Sequence, residues 1–372
     1  SSDLSPPKSE TPAAMLDYIV RTVKSQLMSE QGWASSRPYN WQAIRALAYL
    51  YAGPLDNPFR GSLAVAEAIR ELFNAIVAAD APPDNRLITQ LAETHAILAA
   101  ADRLELTPNI ETQIARGAEP LVEKLRDYRH LTHFTSANLG TGTNHVAVYA
   151  NAVYRAGQIL SRNEYLPLAI DTMTRMAADR TPDGYWAETT GGPTGVYNNL
   201  TYTCFGRMAR WNGDDDFRDA ALKGARFHRR FSYPDGCDIE TFDGRVRHTP
   251  VPLVWGLFVQ SETPAGQAFA ALRIQTLRRR KPPATLGTHG GETIALLAEN
   301  LQLWKPGRPG QAECLRPAYV EHMVVPGAVR REPGWCLALQ GIKHLPRPTG
   351  GFTIDRSSLL SLWHDHAGLI LN

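Results

Sequence analysis

Apolar residues recur every three or four positions along most of this chain. Met15, Ile19 and Val23 would share one face of a first helix, and Ala68 and Leu72 lie on a similar stripe. The same periodicity predicts further helices over residues 41–52, 86–101, 110–126, 145–160, 164–178, 198–211, 215–230, 264–280 and 290–302. Residues 13–302 are therefore predicted to be almost entirely helical.

Short turns that contain proline and glycine separate these helices. Gly53-Pro54 is one example, in which glycine admits unusual φ values and proline fixes φ. Helices joined in pairs by such turns predict stacked hairpins, and a curved ring of hairpins, an incomplete α/α toroid, fits their number. A Pro-Asp-Gly turn occurs at 182–184 and again at 234–236, each shortly after a helix. This repetition predicts that two functional loops share one rim.

The pattern changes after Trp304. Residues 304–318 resemble a linker, and short β-like segments follow at 324–325, 335–339, 352–354, 359–363 and 369–371. A few strands do not form a stable sheet domain by themselves. We therefore expect residues 319–372 to be the first strands of an antiparallel β-sandwich domain that continues beyond Asn372. On this division, residues 1–12 are a flexible leader and residues 13–303 form the helical catalytic domain.

Composition narrows the classes of partner. The chain has 372 residues, of which 43% are hydrophobic and 20% charged, and its net charge of +2 indicates neither a nucleic-acid nor a membrane partner. Its cysteines form no C-x-x-C pair, so a zinc site of that kind is not predicted, while disulfide bridges stay open. The polar leader is typical of a processed N-terminus, and we expect a periplasmic or secreted protein.

One loop rich in glycine and threonine carries candidate chemistry. Residues 135–145 read Thr-Ser-Ala-Asn-Leu-Gly-Thr-Gly-Thr-Asn-His and deliver Asn144 and His145 to the start of an apolar helix. Backbone N–H groups and the helix dipole favour anions there, and they disfavour a charged imidazole. Asn144 could bind a substrate carboxylate or simply cap the helix, and neutral His145 could move a proton. Asn138 is a further candidate substrate contact.

A second loop opens another predicted helix. Residues 183–197 read Asp-Gly-Tyr-Trp-Ala-Glu-Thr-Thr-Gly-Gly-Pro-Thr-Gly-Val-Tyr. Trp186 could be a platform for a sugar ring or a packed core residue, and Glu188 and Asn198 are candidate substrate contacts. Tyr197 is a candidate proton donor, and Tyr202 is the neighbour that could replace it.

A third segment, at 243–248, follows a turn with alternating cations. Arg245 and His248 could bind a carboxylate, and together with Arg207 and Arg247 they could lower the pKa of a nearby tyrosine. His364-Asp365-His366 has only weak metal-site spacing, and we predict neither a metal nor another cofactor.

The order of these motifs resembles that in polysaccharide lyases of the heparinase II/III and alginate lyase type. The resemblance rests on helical hairpins, on Asn144-His145 at a loop-to-helix junction, and on the loop that leads to Tyr197. It implies an incomplete α/α toroid followed by antiparallel β-sandwich domains, with Asn144 and His145 beside the substrate carboxylate and its proton. It also implies that Tyr197 protonates the leaving oxygen, with Tyr202 as the rival.

The implied reaction is cleavage of an acidic, uronate-containing polysaccharide by β-elimination, which leaves a C4=C5 double bond. Two alternatives use other residues. A glycoside hydrolase would need two carboxylates, for which Glu188 with Asp183, Asp235, Asp238 or Glu240 are candidates. A non-catalytic glycan-binding protein would use indole platforms, with these candidates: Trp33, Trp41, Trp186 and Trp255.

Overall fold

The computed structural model describes residues 10–33, 38–79, 81–139, 141–187, 192–242, 252–287, 289–341 and 359–371. Most of these residues are helical. The helices are α1 (Thr11–Leu27), α2 (Ala43–Ala52), α3 (Leu63–Ala78), α4 (Asn85–Ala100), α5 (Ile110–Asp127), α6 (Ser136–Leu139), α7 (Thr143–Ile159), α8 (Tyr165–Ala178), α9 (Gly195–Asn212), α10 (Asp215–Arg230), α11 (Leu257–Gln260), α12 (Pro264–Arg280) and α13 (Gly290–Leu303).

The helices predicted from apolar spacing are confirmed. Local capping explains several of their first residues: the Asp84 carboxylate accepts from the amides at the start of α4, and Asp214 does the same for α10. Thr263 caps α12, where Pro264 occupies the first turn. Helix α9 begins three residues earlier than predicted, at Gly195, so Tyr197 lies within its first turn. The short helices α6 and α11 were not predicted, because a single turn carries no periodic signal.

Five helices form a contiguous inner set. Helices α2, α4, α7 and α9 pack side by side in that order, and α13 packs against α2. Helix α3 packs on α2, α5 and α8 pack on α7, and α10 packs on α9. Helix α1 contacts both α12 and α13, so the first and last helices of this region are neighbours. The helices therefore pack in layers, as the prediction of stacked hairpins requires.

A buried set of charges ties the inner helices together, and we call it the ionic layer: Arg45, Glu93, Arg155, Arg207 and Glu299. Glu299 of α13 accepts two hydrogen bonds from Arg207 of α9, at 2.6 and 2.7 Å, and lies 3.3 Å from Arg45 of α2. Glu93 of α4 pairs with Arg155 of α7 at 2.5 Å. Because each charge has an opposite partner, the layer avoids the large cost of an unpaired buried ion.

The remaining strands form a five-stranded antiparallel sheet in the order β1-β2-β3-β4-β5. They are β1 (Tyr319–His322), β2 (Gly327–Glu332), β3 (Trp335–Gln340), β4 (Leu360–His364) and β5 (Gly368–Leu371). The predictions for β3, β4 and β5 are confirmed. The predicted strand at 324–325 is wrong, because those valines lie in the turn between β1 and β2. The prediction at 352–354 lies outside the described residues.

Polar residues concealed β1 and β2 from the apolar pattern. Strand β2 contains Arg330, Arg331 and Glu332. Its only apolar side chain with 0% exposure is Val329. Arg331 is buried but pairs with Asp365 at 2.6 Å, so a charged residue occupies an inward position. Alternation of apolar and polar residues therefore does not mark these strands.

One face of the sheet packs against the helical region. Trp363 of β4 stacks on Tyr233, with ring centroids 4.8 Å apart, within a cluster that includes Phe227, Phe231 and Cys336. The Tyr233 hydroxyl also lies 2.7 Å from the Ser361 hydroxyl. The opposite face leaves large apolar side chains accessible, among them Trp335 and Leu339 at 43% and 48% exposure.

The fold shows the state of the cysteines and the character of the helices. The four cysteines Cys204, Cys237, Cys314 and Cys336 are buried and free, so none forms a disulfide. Among the described helices, none combines the length and apolar character needed to cross a membrane.

Candidate functional site

The first turns of several inner helices meet at one end of the helical region, which we call the rim. Arg86 in the first turn of α4 pairs with Glu292 in the first turn of α13 at 3.1 Å. The Arg86 guanidinium also lies 5.9 Å from the centre of the Trp255 ring, just before α11. In α7, Thr143 donates to the carbonyl of Ala187, in the loop that leads to α9, at 3.1 Å. The contacts of Arg86 bring together the starts of α4, α11 and α13, and the charge of Arg86 also acts on His145 in the first turn of α7.

Helices α7 and α9 begin at this same end. The Asn151 amide of α7 donates to the Cys204 carbonyl of α9 at 3.1 Å. Both residues lie a little over two turns beyond the start of their helices. Since Thr143 and Ala187 also touch, the two helices run in parallel and their first turns are adjacent. His145 and Tyr197 are thus on the same end of the molecule, and their catalytic roles stay a prediction.

Asn144 lies inside α7 and does not cap it. The helix begins at Thr143 and its N-cap position is Gly142, so the capping interpretation of Asn144 is wrong. The Asn144 side chain is 0% exposed, and neither its Oδ1 nor its Nδ2 has a hydrogen-bond partner among the described residues. A buried amide without partners costs about 1–3 kcal/mol, so its retention requires a structural or functional reason.

His145 is held as a neutral imidazole. Its Nδ1 lies 2.5 Å from the Thr141 hydroxyl, and its ring is partly buried beside Tyr149. Burial lowers the pKa of His145, and the positive charges of Arg86 and Lys124 lower it further. With Nδ1 engaged by Thr141, Nε2 is the nitrogen that can exchange a proton with a ligand.

Tyr197 and Tyr202 have different environments. Tyr197 is partly buried in the first turn of α9. Tyr202 is five residues further on, about 140° around the helix, and is fully buried. Its hydroxyl lies 3.0 Å from the Trp255 carbonyl, and burial raises its pKa to about 12. Tyr202 is therefore a core residue, and its candidacy as the proton donor is wrong.

Trp186 also belongs to the core. Its indole is 3% exposed, donates to the Met176 carbonyl at 2.8 Å and stacks on Phe205 with centroids 4.7 Å apart. Of the two interpretations of Trp186, the packed one is observed and the sugar platform is wrong. Asn198 is buried as well, and its Oδ1 accepts from the Trp186 amide at 3.1 Å, so it anchors the loop.

The other predicted site residues have other contacts or lie outside the described residues. Asn138 is exposed in α6, where its amide donates to the His133 carbonyl at 3.0 Å. Glu188, Arg245 and His248 lie outside the described residues. Arg207 belongs to the ionic layer, bound to Glu299, so it does not act on Tyr197 as proposed.

Four of the five acidic residues considered for a hydrolase have a structural partner, and the fifth, Glu188, lies outside the described residues. Asp183 accepts from the Val324 amide at 2.6 Å, and Asp235 pairs with Arg280 at 2.5 Å. Asp238 pairs with Arg273, and Glu240 lies 2.9 Å from the Tyr233 hydroxyl. These contacts stabilise loops and the contact between the sheet and the helical region. Each of the four carboxylates therefore has a structural role.

Three charged residues near the rim have no distinguishing signal in the sequence. Arg86, Lys124 and Glu292 follow ordinary helical spacing, and only the fold brings them towards His145. Burial raises the pKa of Glu292, although Arg86 opposes the shift. Lys124 is exposed on α5 and its ammonium lies 5.1 Å from the centre of the Tyr149 ring. The rim therefore combines a neutral imidazole, an unpartnered amide and two cations.

Comparison with known proteins supports the fold. No protein-family model matches this chain, and no curated protein matches it in sequence. An unsaturated glucuronyl hydrolase specific for heparin aligns with a TM-score of 0.52 and 10% identity, over 79% of this chain and 99% of the other. The chondroitin AC lyase of Streptomyces coelicolor A3 aligns with a TM-score of 0.54 and 14% identity, over 98% of this chain and 55% of the lyase chain.

The chain thus spans nearly the whole hydrolase but only about half the length of the chondroitin lyase. A further solved structure, described as a polysaccharide lyase, aligns with a TM-score of 0.50 and 10% identity, over 79% of this chain and 97% of the other. Identities this low show the fold alone. The described residues therefore form a mainly helical fold with a small antiparallel sheet, of which 79% of the chain aligns with a glycoside hydrolase and 98% with a chondroitin AC lyase.

Proposed function

We propose that this protein is a polysaccharide lyase that cleaves a uronate-containing polymer by β-elimination. The observation that carries the proposal is the pair Asn144-His145: a buried amide with no partner in the described part of the chain, beside an imidazole kept neutral. The solved structures of similar fold include a chondroitin AC lyase, which supports an acidic polysaccharide as substrate.

The proposed reaction begins at the proton on C5, next to the uronate carboxylate. That proton is weakly acidic while the carboxylate is charged, so the site must stabilise the additional negative charge that develops on the carboxylate. The Asn144 amide, the backbone N–H groups at the start of α7 and the positive field of Arg86 are suited to this task. His145 Nε2 takes the C5 proton, and its depressed pKa keeps it ready to do so at neutral pH.

The electron pair left on C5 forms the C4=C5 double bond, and the bond from C4 to the glycosidic oxygen breaks. Tyr197, at the start of the neighbouring helix, gives its hydroxyl proton to that oxygen. Its position in the first turn of α9 places it at the same end as His145. The products are an unsaturated uronate end and a free hydroxyl on the other fragment, so no water is consumed.

Tyr197→Phe tests this assignment because it removes only the proton-bearing oxygen. We expect alkene formation, followed by ultraviolet absorbance, to fall by about 10²–10⁴-fold with little change in substrate binding. Chondroitin, hyaluronan, heparan, alginate, glucuronan and pectate are the polymers to screen first. A matched control is Tyr154→Phe, on α7 and stacked against Trp211, away from the rim. Full activity of Tyr197→Phe would exclude Tyr197 as the acid.

A hydrolase is the second candidate, because Glu292 at the rim has a raised pKa and could act as a general acid. Glycoside hydrolysis would give saturated products and no absorbance change. In that case Glu292→Gln should abolish turnover while Tyr197→Phe has a mild effect. Under the lyase mechanism, Glu292→Gln removes only a partner of Arg86 and should leave measurable alkene formation.

We also propose that the helical region is an α/α toroid and that the sheet is one layer of a β-sandwich. The contact between α1 and both α12 and α13 supports a ring. The apolar side chains on the outward face of the sheet, including Trp335 and Leu339, support a covering layer. Binding of a hydrophobic dye that is lost on Leu339→Lys would show that this face is uncovered, against the sandwich proposal.

A further inference from the structure

A buried polar cluster lies directly beneath the first turn of α9. It consists of Asn199, His228, Asp238 and Arg273, and we call it the hub. Asn199 and Arg273 are 0% exposed and His228 is 2% exposed. The four residues come from α9, α10, the segment after α10, and α12. No step of the proposed reaction uses them, so their burial at the site needs another explanation.

Asn199 joins the helix start to the rest of the hub. Its Nδ2 donates to the Gly195 carbonyl at 2.8 Å and to Asp238 Oδ2 at 2.8 Å, so both amide hydrogens are used. Its Oδ1 accepts from Arg273 at 2.8 Å. His228 Nδ1 lies 2.9 Å from Asp238 Oδ1 and therefore donates to that carboxylate.

Arg273 extends the hub to two more segments. Its Nε donates to the Gly236 carbonyl at 2.9 Å, in the second Pro-Asp-Gly turn. One terminal nitrogen donates to the Leu253 carbonyl at 3.2 Å, two residues before Trp255. One guanidinium thus fixes two loops that are distant in sequence, and the planar fork of arginine is suited to such multiple contacts.

The charges within the hub are balanced. Burial alone raises the pKa of Asp238, but Arg273 and His228 outweigh it and hold that pKa at about 2. Burial lowers the pKa of His228, which stays neutral. At neutral pH the hub is therefore one ion pair with two neutral hydrogen-bonding groups.

We infer that the hub positions Tyr197. Asn199 fixes the first turn of α9 through the Gly195 carbonyl, two residues before Tyr197. Because Asn199 also accepts from Arg273, that turn is held at a fixed position relative to the loops of Gly236 and Leu253. The inference rests on the proposed function, since it names Tyr197 as the group being aimed. A hydroxyl that must meet one glycosidic oxygen needs a fixed backbone, because a displacement of about 1 Å can cost about 10²-fold in rate.

Asn199→Asp tests the inference with almost no change of shape. It replaces the donating Nδ2 by an oxygen that faces Asp238 and the Gly195 carbonyl, so both hydrogen bonds are lost. The new carboxyl group also lies against the Asp238 carboxylate, and the two groups compete for one proton. We expect kcat for alkene formation to fall about 100-fold while KM stays within about threefold. Activity should recover as pH falls, because a protonated carboxyl can donate again. Asn199→Ala is the second variant and should show the loss without the recovery.

Asn151→Ala is the matched control. Asn151 is also fully buried and also donates to a backbone carbonyl, but its bond joins the middles of α7 and α9 and not the rim. We expect it to lower thermal stability and to leave kcat within about threefold. A native kcat in folded Asn199→Asp, or an equal loss of kcat in Asn151→Ala, would overturn the inference.

A readout without turnover separates the inference from the proposed function. The NMR signal of a ring-labelled Tyr197, assigned by its loss in Tyr197→Phe, should be single and sharp in the native protein and in Asn151→Ala. It should shift or broaden in Asn199→Asp. If the native protein forms no alkene but the signal behaves this way, the positioning inference stands and the lyase proposal fails. An unchanged signal in Asn199→Asp overturns the positioning inference whatever the reaction.

Discussion

At the scale of single residues, two asparagines on α7 show how much depends on position. Asn144 and Asn151 are both fully buried. The Asn151 Nδ2 donates to the Cys204 carbonyl while its Oδ1 has no partner, whereas neither polar atom of Asn144 has a partner within the described ranges. One side chain therefore joins two helices, and the other is an unsatisfied group beside the proposed reacting atoms. The glycine- and threonine-rich loop before Asn144 distinguishes it in the sequence, but only the fold shows which of the two amides forms a hydrogen bond.

Asn144→Leu should separate stability from activity. Removing an unsatisfied buried amide loses no hydrogen bond, so we expect the free energy of unfolding to stay the same or rise by about 1 kcal/mol. Alkene formation should fall by about 10²–10³-fold because a group that stabilises the developing charge is lost. Urea unfolding and initial rates measure the two effects.

The control for that prediction is Asn151→Leu, which removes a hydrogen bond that is made. It should lower the free energy of unfolding by about 1–3 kcal/mol and leave the rate nearly native. If Asn144→Leu instead destabilises the fold as much as Asn151→Leu does, the Asn144 amide is structural and the lyase assignment loses its main support.

The protonation of His145 gives a prediction about pH. Its pKa lies below the ordinary value of 6.5, through burial first and then Arg86 and Lys124. A base with a depressed pKa stays active to lower pH, so the acid limb of kcat/KM should lie below 6.5. Lys124→Gln removes one positive neighbour and should move that limb to higher pH. Lys223→Gln, at an exposed ion pair with Asp219, should not move it.

The same shift has a consequence for stability. Because the folded state disfavours protonated His145, the site costs nothing above the unfolded pKa and destabilises the fold as pH falls below it. His145→Gln should therefore reduce the loss of stability between neutral and mildly acidic pH, measured by urea unfolding at each pH.

An acid limb of kcat/KM that stays in place in Lys124→Gln would show that His145 is not the base.

At the scale of secondary structure elements, the ionic layer holds the inner helices in register. Burial alone raises the pKa of Glu299, but Arg207 and Arg45 outweigh it and lower the pKa below its usual value of 4.5. The stabilisation from Glu299 is therefore present above that value and is lost as pH falls through the lower, folded pKa. Acid should loosen the contact between α9 and α13.

Glu299→Ala should be among the most damaging single changes in the helical region. It leaves the buried Arg207 guanidinium without its carboxylate and leaves Arg45 with Glu93 alone, at 3.6 Å, which costs about 3–5 kcal/mol. Asp219→Ala breaks an exposed ion pair with Lys223 and should cost less than about 1 kcal/mol. Chemical denaturation of the two variants measures the difference, and similar costs would contradict the role given to the layer.

Element boundaries were predictable where local chemistry sets them. The predicted starts of α4 and α10, at residues 86 and 215, lie within one residue of the observed ones, where Asp84 and Asp214 cap the helices. Apolar spacing predicts the start of α9 three residues late, because Gly195-Val196-Tyr197 has no apolar stripe of its own. Its first turn is held instead by Asn199, which bonds to the Gly195 carbonyl. A contact of that kind becomes visible only after folding.

At the scale of the whole molecule, the seam between helices and sheet depends on Trp363. Its ring stacks on Tyr233 and is 5% exposed, whereas Trp335 on the neighbouring strand faces outward and is 43% exposed. Trp363→Ala should cost about 3–5 kcal/mol, and Trp335→Ala should cost less than about 1 kcal/mol. Thermal unfolding followed by circular dichroism compares the variants. Equal effects would show that the sheet does not depend on this face.

The sequence by itself determined the helices, the later strands and the loops that carry Asn144, His145 and Tyr197, because periodicity, caps and turns act over a few residues. Only the tertiary structure decided which aromatic side chains are buried. Trp186 and Tyr202 belong to the core, and their loop and helix give no local sign of it. The fold also brought Arg86 and Glu292 to the rim from helices 206 residues apart. Burial and long-range pairing depend on how helices pack, which no short stretch of sequence specifies.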